Sequence, residues 1–422
     1  RRTLLVMVAI VSVVILKAHT YVIFQPPNYN VLPKELYFDR LNSTIQTFFA
    51  SSQSSSHLAS MLASSLKNTR HKPNSAELYR HAPSYSSSSQ PPSKVPRMMW
   101  SSDKVPPSPG WERLWKEKGF EPHFLNDQMA EDWVENNFRG TDVKRAWDRL
   151  PRTILKADLL RYLLLLVEGG TWSDMDTVPM MDVDLWSKDA VPLSVDRPLS
   201  SVQPLLFSSP STKGSEPPTI GRQSIRAVIG IETDPEEWAS LRSLFEKPRL
   251  LPLRRHRELQ FVQWTMHISP HHPILIDVIR RVLETDKLFQ SFEIMRERFD
   301  FSDEYGLAGR ASTSPSDEGD KLPTTLEPWK KIGMVWKYQD GAWRWGWDPL
   351  CVEEWTGPAV WTDSIVSYLD AVAGVKPADL ALLKRPVQVR DLVIVPTQGF
   401  NPVLGRDDAT RLVHLFRGSW KK

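Results

Sequence analysis

An apolar run closed by two adjacent glycines constrains this chain more than any other stretch of it. Ile154, Leu155, Leu159, Leu160, Leu163, Leu164, Leu166 and Val167 recur at helical spacing, so residues 154–168 read as a nearly buried helix. Gly169 and Gly170 stop it, supplying a left-handed cap and a tight turn. Residues 171–178 then have room for a short extended segment, and that segment delivers Asp174 and Asp176.

In an extended backbone, carboxylates at i and i+2 point to opposite sides, which suits dividing the work between a divalent ion and a neighbouring hydroxyl. A pair that grips one ion symmetrically needs a bend. Asp-x-Asp alone is a weak signal, and Asp182-Val183-Asp184 repeats it nearby. The first pair is preferred because the helix, the glycine turn and Trp172 fix its position. Within the helix, Asp158 and Arg161 lie three apart on one face. They read either as a structural ion pair or as a hydrogen-bonding face turned to a polar ligand beside Asp174 and Asp176.

These residues carry a family pattern. Residues 155–162 (LKADLLRY) followed by 169–176 (GGTWSDMD) closely resemble the sugar-binding core of glycosyltransferase family 32. The likeness is nearest to its fungal Golgi α-1,6-mannosyltransferases, which initiate N-glycan outer chains. Further matches follow in order at residues 228–232 (VIGIE), 263–265 (QWT), 271–273 (HHP), 355–358 (WTGP) and 418–421 (GSWK), so the resemblance covers residues 94–422. It implies a GT-A type, Rossmann-like α/β fold, GDP-mannose as donor, an N-linked glycan as acceptor, and retention of anomeric configuration.

The remainder of the chain is consistent with one such domain behind an anchor. With 41% hydrophobic and 24% charged residues the composition is globular. A formal charge of +3, from 53 basic and 50 acidic residues that are intermixed, gives no argument for nucleic acid as a partner. The single cysteine, Cys351, rules out an intrachain disulfide and a cysteine metal cage. Residues 1–24 are largely apolar after Arg1-Arg2 and read as a signal anchor with a cytoplasmic amino end, hence a single-pass type II membrane protein whose catalytic part is lumenal, or else as a signal-peptide core; the resemblance implies the Golgi membrane. Residues 25–93 are rich in Ser and Pro and read as a flexible stem, with a glycosylation sequon at Asn42-Ser43-Thr44.

The folded part, residues 94–422, opens with a strand at 95–100, a helix at 111–119, a strand at 122–125 and a helix at 127–138, an alternation that implies α/β layers. Ligands of such sheets sit at the carboxyl ends of the strands. Residues 199–223 and 301–327 read as polar insertions, 228–232 as a strand, 260–268 and 273–284 as helices, and 391–396 as a last strand. Glu232 reads as a solvated carboxylate at a strand end, and Gln263 as a candidate group beneath the transferred sugar. His271 and His272 shape a helix start. Trp336, Trp343, Trp345, Trp347, Trp355 and Trp361 read as an aromatic core of short strands, some of them free to line an acceptor groove.

Breaking a sugar–phosphate bond leaves a diphosphate whose growing charge a divalent ion stabilises directly, and oxygen ligands suit Mn²⁺ or Mg²⁺. With the resemblance, Asp176 goes to the metal, Asp174 is shared between ribose and metal, and His414 is the third metal ligand. Asp158 and Arg161 then hold donor-sugar hydroxyls, Trp172 packs on sugar or ribose, Trp100 stacks on the base or serves as core, and Trp420 with Lys421 grips the leaving diphosphate. The alternatives are a related transferase with another donor or a lipid acceptor, and a weakly catalytic subunit of a Golgi mannosyltransferase complex.

Overall fold

The computed structural model describes residues 29–49, 56–70, 95–150, 153–193, 224–234, 257–299, 334–339, 342–347, 352–400 and 409–415. In chain order the helices and strands are α1 (Lys34–Thr44), α2 (Ser56–Arg70), β1 (Met98–Ser102), α3 (Pro109–Glu117), β2 (Glu121–Leu125), α4 (Asp127–Phe138), α5 (Asp142–Arg149) and α6 (Thr153–Val167). There follow β3 (Gly170–Ser173), β4 (Thr177–Pro179), β5 (Val191–Leu193), β6 (Ala227–Thr233), β7 (Gln260–Phe261), β8 (Thr265–Ile268) and α7 (Pro273–Phe299). The last are β9 (Met334–Gln339), β10 (Ala342–Trp347), α8 (Val352–Trp355), α9 (Pro358–Ala373), β11 (Val387–Val389), β12 (Leu392–Val395), α10 (Thr397–Phe400) and β13 (Leu412–His414).

The main sheet runs β2-β1-β3-β8-β6-β12-β11-β5, with β7 paired to β6. It is mixed. Pairing is parallel across β2, β1 and β3, between β12 and β6, and between β11 and β5; β8 lies antiparallel between β3 and β6. The strands divide their side chains between two cores, as pleating demands. Ile229, Ile231, Leu392 and Ile394 face one cluster, which includes α6, α7 and α9, while Val228, Val393 and Val395 face a second with Trp115, Trp186 and Phe400. A sheet buried on both faces takes the near-continuous apolar strands seen in β6 and β12.

Two sequence expectations are corrected here. Residues 260–268, expected as a helix, form β7 and β8. Their apolar positions fit either period, and the open hydrogen-bonding edges of β3 and β6 decide for the strand. Within the expected flexible stem, α1, a π-helical turn after it (Ile45–Phe49) and α2 are packed: Tyr37 and Leu41, then Ile45, Phe48 and Phe49, then Leu58, Leu62 and Leu66, join the main core. Averaged composition hides that helical spacing among the serines. Asn42 lies exposed in the last turn of α1.

Trp355 and Trp361 are buried on α8 and α9, not on strands. The four tryptophans Trp336, Trp343, Trp345 and Trp347 fall on the β9–β10 hairpin. The expected anchor at residues 1–24 and the insertions at 199–223 and 301–327 lie outside the described residues. Among the described residues, no helix is long and apolar enough to cross a membrane.

Candidate active site

The site begins where α6 hands the chain to β3. Gly169 and Gly170 have φ of 71° and 99°, and a Cβ on either would run into Pro270 or the Met98 carbonyl. Glycine is therefore required twice over, by backbone angle and by space. The turn sets β3 against β1 and β8, so its carboxyl end, with Asp174 next in line, opens beside the start of β8 and the end of β6.

Asp174 to Thr177 is a turn, not the expected extended segment. The Asp174 carbonyl accepts from the Thr177 N–H at 3.2 Å and from the Thr177 hydroxyl at 2.5 Å, while the Asp174 N–H donates to the Trp264 carbonyl at 2.9 Å. The bend brings both carboxylates to one side. The chain then runs into β4, which pairs antiparallel with β13 so that His414 faces Thr177, and the Leu415 N–H donates to the Asp176 carbonyl at 2.8 Å. His414 Nε2 comes to 3.1 Å from Asp176 Oδ1. One ligand atom each from Asp174, Asp176 and His414 lie within 4.8 Å of one another.

Behind this triad, α6 presents Asp158 and Arg161. Arg161 Nη2 is 2.8 Å from Asp158 Oδ1 and Nη1 is 3.7 Å from Asp174 Oδ1, and Nη1 also donates to the Gln263 carbonyl at 3.2 Å. The Thr356 hydroxyl donates to Asp158 Oδ2 at 3.0 Å. Burial pushes the Asp158 carboxyl up to about 7, against the pull of Arg161 and the Thr356 hydroxyl. Trp172 is buried beneath the Arg161 guanidinium, 5.2 Å from the ring centre, and its indole donates to Asp174 Oδ1 at 2.9 Å. Asp158 and Arg161 thus form a buried ion pair directly behind Asp174.

A family model described as a glycosyltransferase sugar-binding region containing a DXD motif matches residues 97–191, which include Asp174-Met175-Asp176. Residues 97–191 thus carry a glycosyltransferase domain of this type. Among relatives of this glycosyltransferase, the initiation-specific alpha-1,6-mannosyltransferase of Schizosaccharomyces pombe is 25% identical over 346 residues, covering 78% of this chain and 64% of the relative. The protein of the same name in Saccharomyces cerevisiae is 25% identical over 399 residues, covering 78% of each. The match thus spans less than two thirds of the fission-yeast relative. Among solved structures, the PaToxG glycosyltransferase aligns over 75% of this chain and 82% of its own at 10% identity, with a TM-score of 0.31, too low to argue from.

The triad of this glycosyltransferase fits a divalent ion. Two carboxylates and an imidazole offer oxygen and nitrogen donors, and their separation is close to the roughly 4–5 Å that one ion with ligands at about 2.1–2.6 Å spans. Trp100 is half-buried; its indole donates to the Gly169 carbonyl at 2.9 Å and its ring stacks on His123 at 4.7 Å. Trp420 and Lys421 lie outside the described residues. Asp182 and Asp184 are exposed, with Asp184 paired to Arg97. His272 is buried and its Nδ1 accepts from the Ile274 N–H at the start of α7.

Three groups escaped the sequence reading or were read otherwise. Glu232, expected to be solvated, is half-buried: Oε1 accepts from the Trp264 indole at 3.2 Å and Oε2 from the Gln260 amide at 2.8 Å, and burial raises its carboxyl above the usual range. Trp264 stacks on His414, with ring centres 4.6 Å apart and planes 19° apart. Its place was hidden by the mistaken helix. Thr356 joins Asp158 to Gln263, whose amide donates to the Thr356 carbonyl at 2.9 Å and to the Tyr162 hydroxyl at 2.7 Å. Nothing in local sequence pairs position 356 with α6.

Proposed function

We propose that this glycosyltransferase moves mannose from GDP-mannose onto an N-linked glycan, forming the α-1,6 bond that starts an outer chain, with retention of configuration and dependence on Mn²⁺ or Mg²⁺. The observation that carries the reading is the convergence of Asp174, Asp176 and His414 beside the Asp158–Arg161 pair. Mannose and the α-1,6 linkage rest on the names of the two yeast relatives. A GT-A type fold, a Golgi membrane location with the catalytic part lumenal, an anchor in residues 1–24 and membership of a mannosyltransferase complex belong to the same proposal.

Asp174 Oδ, Asp176 Oδ and His414 Nε2 would hold the ion. When bound, it supplies Lewis-acid stabilisation of the charge that develops on the leaving diphosphate. Arg161 Nη1 lies 3.7 Å from Asp174 Oδ1 and sets a positive charge beside the site. The Trp172 indole fixes that carboxylate's orientation from the other side. In this reading Asp158, held by Arg161 on Oδ1 and by the Thr356 hydroxyl on Oδ2, also accepts from donor-sugar hydroxyls. Trp420 and Lys421 complete the grip on the diphosphate in this reading. The acceptor hydroxyl attacks from the face the diphosphate leaves, and its proton goes to a departing phosphate oxygen, so no enzymic nucleophile is needed.

The test is transfer to a high-mannose N-glycan with Mn²⁺ and GDP-mannose, UDP-galactose or UDP-glucose, with product mass and linkage determined. An α-1,6-mannosylated product that disappears with chelator and in Asp176→Ala supports the reading. Transfer from a uridine donor alone overturns the mannose assignment.

A further inference from the structure

His414 reaches the triad from a short strand whose backbone is paired to β4, but backbone pairing leaves an imidazole free to turn about its side-chain bonds. A metal ligand needs that rotation stopped. Besides the approach of Asp176 Oδ1 to Nε2 at 3.1 Å, the structure restrains it with a ring. Trp264, only 6% exposed, lies against the imidazole nearly face to face, at 4.6 Å and 19°. The indole is itself held by its N–H on Glu232 Oε1, and Glu232 is held in turn by the Gln260 amide. The same tryptophan's carbonyl receives the Asp174 N–H at 2.9 Å. One residue therefore braces the two ends of the triad, which sequence separates widely.

We propose that Trp264, oriented by Glu232, is a positioning residue that fixes the His414 imidazole for sharing a divalent ion with Asp174 and Asp176. The proposal rests on the metal reading given above. Neither Trp264 nor Glu232 touches the ion in this arrangement; Glu232 acts through the indole and the indole through the imidazole. Loss of outer partners of this kind typically weakens metal binding by about 10–100-fold.

The experiment titrates the full 422-residue chain with Mn²⁺ alone and reads free Mn²⁺ by electron paramagnetic resonance, with thermal melts run beside it. The variants are Glu232→Gln, Trp264→Phe, Trp264→Ala and Asp176→Ala, and the first two are repeated in a His414→Ala background. Trp264→Ala is expected to weaken Mn²⁺ binding by about 10–100-fold and Glu232→Gln by a smaller factor, with no further weakening by Glu232→Gln once His414 is gone. If Trp264→Ala does not fold, Glu232→Gln and Trp264→Phe decide, because one keeps the side-chain shape and the other keeps the stacked ring. Wild-type affinity in both, or the same loss with and without His414, overturns the positioning role. Failure of the wild-type chain to bind Mn²⁺ overturns the metal reading itself, and the proposal with it. Binding abolished by Asp176→Ala but indifferent to Trp264 leaves the metal reading standing and removes only the proposal.

Discussion

Trp172 donates its indole N–H to Asp174 Oδ1 at 2.9 Å, across one intervening residue. The tryptophan is 2% exposed, so the bond is made from the core outward and the carboxylate is aimed by a group that cannot move. Arg161 touches the same oxygen from α6. Asp174 is thus oriented before any ligand arrives.

Trp172→Phe keeps most of the buried ring and removes the donor. Mn²⁺ affinity, read by the concentration needed for half-maximal transfer, should fall about 10–150-fold, matching the roughly 1.5–3 kcal/mol of a hydrogen bond to a charged group. The thermal midpoint should move little.

Arg161→Ala leaves Asp158 buried without its cation. Breaking such a pair typically costs about 3–5 kcal/mol, and urea unfolding should show a loss of that order together with loss of transfer. A charged partner restored as Arg161→Lys should recover stability in part, since a lysine cannot reach Asp158, Asp174 and the Gln263 carbonyl at once.

The Asp158 carboxyl, raised to about 7 by burial, holds its proton longer in the folded than in the unfolded chain. The folded state therefore binds more protons between the ordinary aspartate value and about 7, and stability attributable to this group is present in acid and lost as pH rises through that window. The urea midpoint of the wild type should fall relative to Asp158→Asn from about pH 4 to pH 7.

Asp277 has the opposite sign. Burial alone would raise its carboxyl, but the Arg281 and Arg280 guanidiniums outweigh burial and hold it below the usual range. Its contribution is present at neutral pH and disappears as pH falls below the ordinary aspartate value. Asp277→Asn should destabilise by about 3–5 kcal/mol at pH 7, with the deficit shrinking in acid.

Gly170→Ala should destabilise by at least about 1–3 kcal/mol, the strain of a left-handed backbone, plus the clash with the Met98 carbonyl. Because relief requires β3 to move from β1, transfer should fall more steeply than stability when both are measured on the same preparation.

The local parts of this site were legible because their signals are local. Helical spacing marks α6, the paired glycines mark the turn, and Asp174, Asp176, Asp158 and Arg161 all sit within a single stretch. The long-range parts were not. Trp264 reaches the triad only because β8 pairs with β3, and a short apolar segment carries no mark that tells it from a helix. The turn at Asp174 was missed for a related reason: the Thr177 hydroxyl and the Trp264 carbonyl that bend it are contacts, not spacings. In α1 and α2 the signal was present at Tyr37 and Leu41 and at Leu58, Leu62 and Leu66, but the surrounding serines outweighed it.

The pairing of β13 with β4 also orders events in time. Everything that holds Asp174, from α6 to β8, is complete in a chain synthesised as far as Ile268, yet His414 joins only when the polymer has grown far beyond it. A polypeptide that stops before residue 412 can carry Asp174 and Asp176 but lacks the third donor of the proposed triad. Among the described strands β13 is the last in sequence, so the proposed triad closes only once residues 412–414 have paired with β4.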